Sequence, residues 1–123
     1  MRHCILAILV LIVMGCAGAS NSNVPYDMTL ANEGFKELMR ENYEQAEAFF
    51  DLALSVNPDN PYALLNLGVV YQNTGRPDKA KLMYQKVIDM NPQLTAKSST
   101  DSNFEGKSLA EIAKINIQSL ENK

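Results

Sequence analysis

The chain has little of the side-chain chemistry on which most enzymes and metal sites depend. Its 123 residues include one histidine and two cysteines, and these three, His3, Cys4 and Cys16, lie within the first 16 positions. The chain after position 16 has no imidazole or thiol group, so it cannot form the common zinc sites or the Ser-His-Asp and Cys-His catalytic arrangements. No glycine-rich phosphate loop is present either. The sequence therefore predicts no enzyme activity, no cofactor and no metal site.

Basic residues are also scarce, with 11 Lys and Arg against 14 Asp and Glu and a formal charge of −3. A surface that binds nucleic acid or anionic lipid headgroups needs clustered positive charge, and this chain has no basic run. We therefore expect no nucleic acid partner. The remaining candidates for acid–base chemistry are glutamates at intervals of three or four residues, which is typical of a solvated acidic face on helices. These glutamates are Glu33, Glu37, Glu41, Glu44 and Glu47.

One apolar run stands out, at residues 4–14, directly after the short basic start Met1-Arg2-His3. Its 11 residues are about half of the roughly 20 that a transmembrane helix needs. A basic start, a short apolar run and small residues after it are typical of an export signal. Two alternatives remain open. The run extended by the following Gly and Ala residues forms an uncleaved anchor, or the signal is cut after Ala17 or Ala19 and leaves a soluble exported protein.

The end of this run, Val13-Met14-Gly15-Cys16, resembles a bacterial lipobox. In that family the signal is cut before the cysteine, whose sulfur carries a diacylglycerol and whose new amine is acylated. The resemblance implies a signal peptide over residues 1–15, a lipid on Cys16 and a flexible tether over residues 16–26. The residue after the cysteine, Ala17, is similar to the one found there in lipoproteins destined for the periplasmic face of the outer membrane. Two or three acyl chains anchor stably, since each buried CH₂ contributes about 0.8 kcal/mol.

The body of the chain repeats itself with a period of 34 residues. Similar or identical residues recur at this spacing in the pairs Gly34 and Gly68, Ala46 and Ala80, Phe50 and Tyr84, Ala53 and Val87, Asn57 and Asn91, and Pro58 and Pro92. A period of 34 is typical of stacked helical hairpins, each burying against its neighbour a face that it cannot bury alone. The small residues of the first two pairs allow helix backbones to approach to about 8 to 10 Å.

The second repeat, residues 61–92, resembles a tetratricopeptide repeat over its full length. The matching positions are Leu64, Leu67, Gly68, Tyr71, Gly75, Ala80, Tyr84, Val87 and Pro92. The first repeat matches at fewer positions, namely Leu30, Gly34, Tyr43, Ala46, Phe50, Ala53 and Pro58. The resemblance implies an all-α solenoid of helical hairpins, with two full repeats over residues 27–60 and 61–94.

Local signals set the helix boundaries. We predict helices at 28–40, 43–56, 61–74 and 77–90, a polar loop at 95–107 and a C-terminal capping helix at 108–123. Asn42 with Gln45 resembles a capping box, as does Ser108 with Glu111. Asn60 before Pro61 is typical of a helix start. Pro58 and Pro92 follow the second helix of each repeat and end it.

The resemblance also implies a binding surface, because tetratricopeptide repeats bind peptides or partner helices in a concave groove lined by the first helix of each repeat. The matching positions here are Met28, Ala31, Asn32, Phe35, Leu38, Met39, Tyr62, Leu65, Asn66, Val69, Gln72 and Asn73. More than half of them are apolar, which favours an amphipathic helix or an extended apolar segment, with Asn66 holding its backbone. Alternatively, Phe35 and Leu38 pack against the N-terminal linker or the capping helix.

These features together predict a lipid-anchored interaction scaffold on the periplasmic side of a bacterial envelope. The chain resembles the small tetratricopeptide lipoproteins that help to assemble pili and secretion complexes. The alternative is an adaptor for cell-wall enzymes. Two repeats with a capping helix are close to the minimum of about three repeats for independent stability. A protein partner or a second copy of the chain therefore completes the solenoid in this interpretation.

Overall fold

A computed structural model describes residues 24–90, 93–94, 104 and 106–123 of the chain. The predicted signal peptide, Cys16, most of the tether and Pro92 lie outside the described residues. The described part contains five α-helices: α1 (Tyr26–Met39), α2 (Tyr43–Val56), α3 (Pro61–Asn73), α4 (Pro77–Met90) and α5 (Leu109–Glu121). The predicted all-α solenoid of two helical hairpins and a C-terminal capping helix is confirmed.

Each hairpin is closed by an aromatic ring that fills the space left by a glycine. A Cβ added to Gly34 would lie 2.6 Å from Cε1 of Phe50, and one added to Gly68 would lie 2.7 Å from Cδ1 of Tyr84 and nearer still to its Cε1. Phe50 and Tyr84 are fully buried. The glycines therefore do more than allow two backbones to approach, since each one provides the contact surface for a ring on the facing helix.

The core runs through both hairpins without a break. Besides the two rings it contains the alanines Ala46 and Ala80 at zero exposure and a cluster of aliphatic side chains on α3. The glutamates Glu33 and Glu37 occupy the positions that Leu67 and Tyr71 take in the second repeat. Polar residues are tolerated there because α1 has no described helix packed on its outer side, whereas α3 packs against α2.

Three of the predicted caps can be compared with the structure, and one is wrong. The side chain of Asn60 accepts a hydrogen bond from the backbone N–H of Ala63 at 3.0 Å, as expected for an N-cap. Ser108 and Glu111 form the predicted capping box at the start of α5. Asn42, in contrast, makes no side-chain cap with α2. Its Nδ2 donates instead to the Glu37 carboxylate at 2.7 Å, because a charged acceptor at the end of α1 competes with the cap.

A buried carboxylate joins the two repeats. Oδ2 of Asp27, at the start of α1, accepts hydrogen bonds from Nδ2 of Asn57 at 2.9 Å and from Nδ2 of Asn60 at 2.8 Å. The Asn57 hydrogen bond holds the pKa of Asp27 below its ordinary value, with a further contribution from Asn60, although burial opposes the shift. Because Asn60 also caps α3, this cluster fixes the loop between the repeats to the first helix.

The capping helix packs mainly on α4 and also contacts α3. Its buried side chains are Leu109, Ala110, Ile112 and Ala113. The backbone N–H of Leu109 donates to the carbonyl of Leu94 at 3.0 Å, which ties the start of α5 to the chain just beyond α4. The end of the second repeat is thereby covered.

Candidate functional site

The concave side of the solenoid contains a groove of about 810 Å³. It is formed by α1 and α3, the first helices of the two repeats, with α5 along one side. All twelve residues predicted for a partner-binding groove line it: Met28, Ala31, Asn32, Phe35, Leu38, Met39, Tyr62, Leu65, Asn66, Val69, Gln72 and Asn73. The structure therefore brings the whole predicted set together on one surface.

Helical spacing explains why these side chains share a face. On each of the two helices they recur at intervals of one, three or four residues, which places them on one stripe of an α-helix. Ala31 and Leu65 are buried and form the floor of the groove, with exposures of 3% and 7%. Phe35 and Val69 are half-buried, and Met39 at the rim is 48% exposed. The surface offered to a partner is thus mainly apolar.

Among the described residues, seven that were absent from the predicted set also line the groove. These are Val24, Glu41, Tyr43, Phe104, Leu109, Ile112 and Asn116. Four of them come from α5 and the segment before it, so the capping helix contributes a wall as well as covering the second repeat. Phe104 lies within the stretch predicted as a polar loop, and its ring packs against the core. Phe35 and Leu38 line the groove together with residues of the capping helix.

A buried phenol supports the polar part of the groove from below. The Tyr84 hydroxyl donates to Oε1 of Gln72 at 2.8 Å. Burial raises the pKa of Tyr84 well above its ordinary value, and a hydrogen bond with the Asn116 side chain opposes that rise. The phenol therefore stays protonated at physiological pH. The hydrogen bond from Tyr84 ties α4 to Gln72 on the α3 wall of the groove.

Most of the glutamates are engaged in ion pairs. Glu33 accepts from Lys36 at 2.6 Å and Glu37 from Arg40 at 2.7 Å on the surface of α1. Glu47 on α2 receives two hydrogen bonds from the Arg76 guanidinium, at 3.0 and 2.6 Å. None of the five glutamates predicted to form a solvated acidic face is buried, and the turn between α1 and α2 separates those on α1 from those on α2.

The Glu47 pair crosses from the first repeat to the second. Hydrogen bonding by Arg76 holds the pKa of Glu47 below its ordinary value, with burial opposing. The same guanidinium lies 4.5 Å from the centre of the Tyr71 ring, a cation–π distance. These contacts lie on α2, α3 and the turn before α4, and none of their residues is among the described residues that line the groove. Their role is to hold the repeats together.

No group of three or more His, Cys, Asp or Glu side chains in the described part of the chain is arranged to hold a metal ion. None of the described helices is both long and apolar enough to cross a membrane.

Comparisons with known proteins agree with the architecture. Residues 37–97 match a family model described as tetratricopeptide repeat. The chain is 35% identical over 60 residues to anaphase-promoting complex subunit 3 of Schizosaccharomyces pombe, covering 49% of this chain and 9% of that protein. It is 34% identical over 67 residues to the photosystem I assembly protein Ycf3 of a Synechococcus strain, covering 54% of this chain and 36% of Ycf3.

A third similarity is to the human protein O-mannosyl-transferase TMTC2, at 39% identity over 49 residues, or 40% of this chain and 6% of that protein. The chain thus spans less than two-fifths of the length of each of these relatives.

The fold and the groove define an interaction scaffold built from stacked helical hairpins. More specifically, its repeats are of the tetratricopeptide type, as both the 34-residue period and the family match show. Scaffolds of this type bind protein partners and are generally not catalytic.

Proposed function

We propose that this chain binds an apolar segment of another protein in its concave groove and so brings that partner to a larger assembly. The observation that carries the proposal is the groove itself, about 810 Å³ with a mainly apolar lining. Exposed apolar surface of this kind marks interaction sites in proteins. Met28 and Met39 add adaptable thioether side chains that conform to a partner's shape.

The amide side chains of the groove suit a peptide backbone. Asn32, Asn66 and Asn73 lie among the apolar residues of α1 and α3, and each offers both a donor and an acceptor. An amphipathic helix would place its apolar face against Phe35 and Val69, while an extended segment would also use the amides for its backbone groups. Both modes are accessible to the same surface.

The proposed location is the periplasmic face of a bacterial membrane, more specifically the outer membrane, with the lipid on Cys16 as the anchor. This part of the proposal is supported by the sequence alone, through the apolar run and the lipobox-like Val13-Met14-Gly15-Cys16. A tether of about ten residues after the cysteine reaches at most about 33 to 36 Å. The groove would therefore work close to the membrane.

The proposed role there is assembly of a pilus or secretion complex. Similarity to a protein named for photosystem I assembly supports an assembly role in general. The partner defines the role, and photocrosslinking identifies it. A photoreactive phenylalanine analogue is placed at Phe35 in the groove and, as a matched control, at Leu82, which is 55% exposed on α4 and does not line the groove.

Crosslinking in cells that produce the protein should give adducts from position 35 and not from position 82. Pilus or secretin subunits in these adducts support the proposal as stated, whereas cell-wall hydrolases replace it with an adaptor for cell-wall enzymes. Absence of adducts at position 35, with that side chain reactive to a soluble probe, contradicts binding in the groove.

The anchor has its own test. Mass spectrometry of the protein extracted from membranes should show an N-terminal acylated Cys16, and Cys16→Ser should release the chain from the membrane fraction. A free amine at Ser20 instead contradicts lipidation and indicates an exported protein without an anchor.

A further inference from the structure

Glu41 has a backbone conformation that glycine normally adopts, in the turn between α1 and α2. Its φ is 61°, and it is the one non-glycine residue with positive φ in the described part of the chain. The residue 34 positions later is Gly75, in the turn between α3 and α4, with φ +72°. A left-handed backbone is unstrained for glycine and unfavourable for a residue with a Cβ. The first repeat thus has a charged side chain where the second has the residue best suited to the turn.

The two turns have the same geometry, so the difference lies in the side chain. The backbone N–H of Asn42 donates to the carbonyl of Glu37 at 2.9 Å, and that of Arg76 donates to Tyr71 at 2.8 Å. Each is the long hydrogen bond of a Schellman motif, in which the left-handed residue is usually glycine. Glycine at position 41 would therefore preserve the turn and relieve its strain.

The side chain of Glu41 has no role in the fold that the structure describes. It is exposed and forms no hydrogen bond or ion pair with any described side chain. Its two polar neighbours are directed elsewhere, because Arg40 and Asn42 both bind the Glu37 carboxylate at 2.7 Å. No contact of the Glu41 side chain within the described fold offsets the cost of its strained backbone.

The position of Glu41 in the groove indicates a role in binding. Glu41 lines the groove and, among the described residues that do so, is the one with a charged side chain. It lies at the end of the groove where α1 and α3 terminate, at Met39 and Asn73. The C-terminal end of a helix carries a partial negative charge, so both helices add to the carboxylate. Because no other described lining residue is charged, this end of the groove favours a cation.

We propose that Glu41 is a specificity-determining residue that selects partner segments whose apolar face ends in a lysine or arginine. The inference rests on the proposed function, since it describes what the groove accepts. The carboxylate accepts a hydrogen bond from the partner's ammonium or guanidinium group while the apolar side chains of the partner occupy the groove. A strained residue that serves binding instead of folding is a recurring feature of functional sites.

The test is selection of peptides from a phage-displayed library of random 12-residue sequences. The bait is the full chain in lipid nanodiscs, as wild type and as Glu41→Gln, Glu41→Lys and Glu41→Gly. Asn32→Trp, at an exposed position in the groove, fills the binding surface and serves as the background control together with empty nanodiscs.

The wild type should enrich apolar peptides with a basic residue at one end. Glu41→Gln should lose that preference and bind the selected peptides about five-fold more weakly, and Glu41→Lys should select an acidic residue at the same place. Glu41→Gly should behave as Glu41→Gln in selection yet melt about 4 to 8 °C higher, because the backbone strain is relieved.

The outcomes separate this inference from the proposed function. If the wild type and Glu41→Gln enrich the same peptides without a basic end, the groove binds but Glu41 does not select, and the inference is wrong. A melting temperature that does not rise in Glu41→Gly contradicts the argument from strain. If no peptide is enriched over Asn32→Trp, the groove does not bind peptides and the proposed function fails as well.

Discussion

Replacing Gly68 by alanine tests how tightly the second hairpin is packed. Alanine in a helix interior is favoured over glycine by about 1 kcal/mol, so on an open surface the change would stabilise. Here the new Cβ would lie 2.7 Å from Cδ1 of Tyr84. That ring is fully buried and its hydroxyl is held by Gln72 at 2.8 Å, so it cannot move aside.

Overpacking of this severity costs about 3 kcal/mol, the upper end of the usual range. The net loss is then about 2 kcal/mol, which lowers the melting temperature of a domain of this size by roughly 8 to 16 °C. Thermal unfolding followed by circular dichroism at the helical band measures it. Gly34→Ala should lose less, because the Phe50 ring that it meets has no hydroxyl to tether it.

The matched control repeats the substitution without the ring. In a Tyr84→Leu background, Gly68→Ala should be neutral or stabilising, so a double-mutant cycle assigns the loss to this one contact. A higher melting temperature for Gly68→Ala in the wild-type background would refute the packing argument.

Three further predictions concern the contacts that hold the helices in place. The pKa of Asp27 is held below its ordinary value, so its stabilising contribution is complete above about pH 5 and is lost as the pH falls through the folded pKa. Asp27→Asn should give a shallower decline in urea midpoint over that range, and an unchanged decline contradicts it. Ser108→Ala removes the capping box and should cost about 1 kcal/mol, seen as faster amide hydrogen exchange in α5 with α1 as the internal reference. Arg76→Met removes the pair with Glu47, which is partly exposed, and should cost about 1 kcal/mol or less; the difference from wild type should shrink in 1 M salt, and a salt-independent loss would assign it to packing on Tyr71 instead.

Local sequence signals predicted most of the fold because the repeat has asparagine and proline residues at its helix ends. Asn60-Pro61 marks the start of α3, and α3 begins at Pro61. The start of α1 is two residues earlier than predicted, at Tyr26. The failure of Asn42 to cap α2 could not be predicted from α2 itself. The carboxylate that accepts a hydrogen bond from its side chain belongs to Glu37 on α1.

The residues of the candidate site likewise fall into those that the sequence predicts and those that only the structure shows. The α1 and α3 faces follow from helical spacing, which is why residues such as Phe35 and Val69 were predictable. Phe104 and Asn116 depend on how α5 packs against the repeats, and no local pattern carries that information. Glu41 had a signal in the repeat register, where it aligns with Gly75, but its meaning required the backbone angle.

Natural methionines offer the most direct test of binding in the groove. Met28 and Met39 line it, whereas Met90 is exposed at the end of α4 and does not. The protein is labelled with ¹³C at the methionine methyl groups and titrated with the partner segment identified by crosslinking at Phe35. The account predicts that the methyl resonances of Met28 and Met39 shift or broaden while that of Met90 stays fixed. A titration that moves Met90 and leaves the two groove methionines unchanged would contradict it.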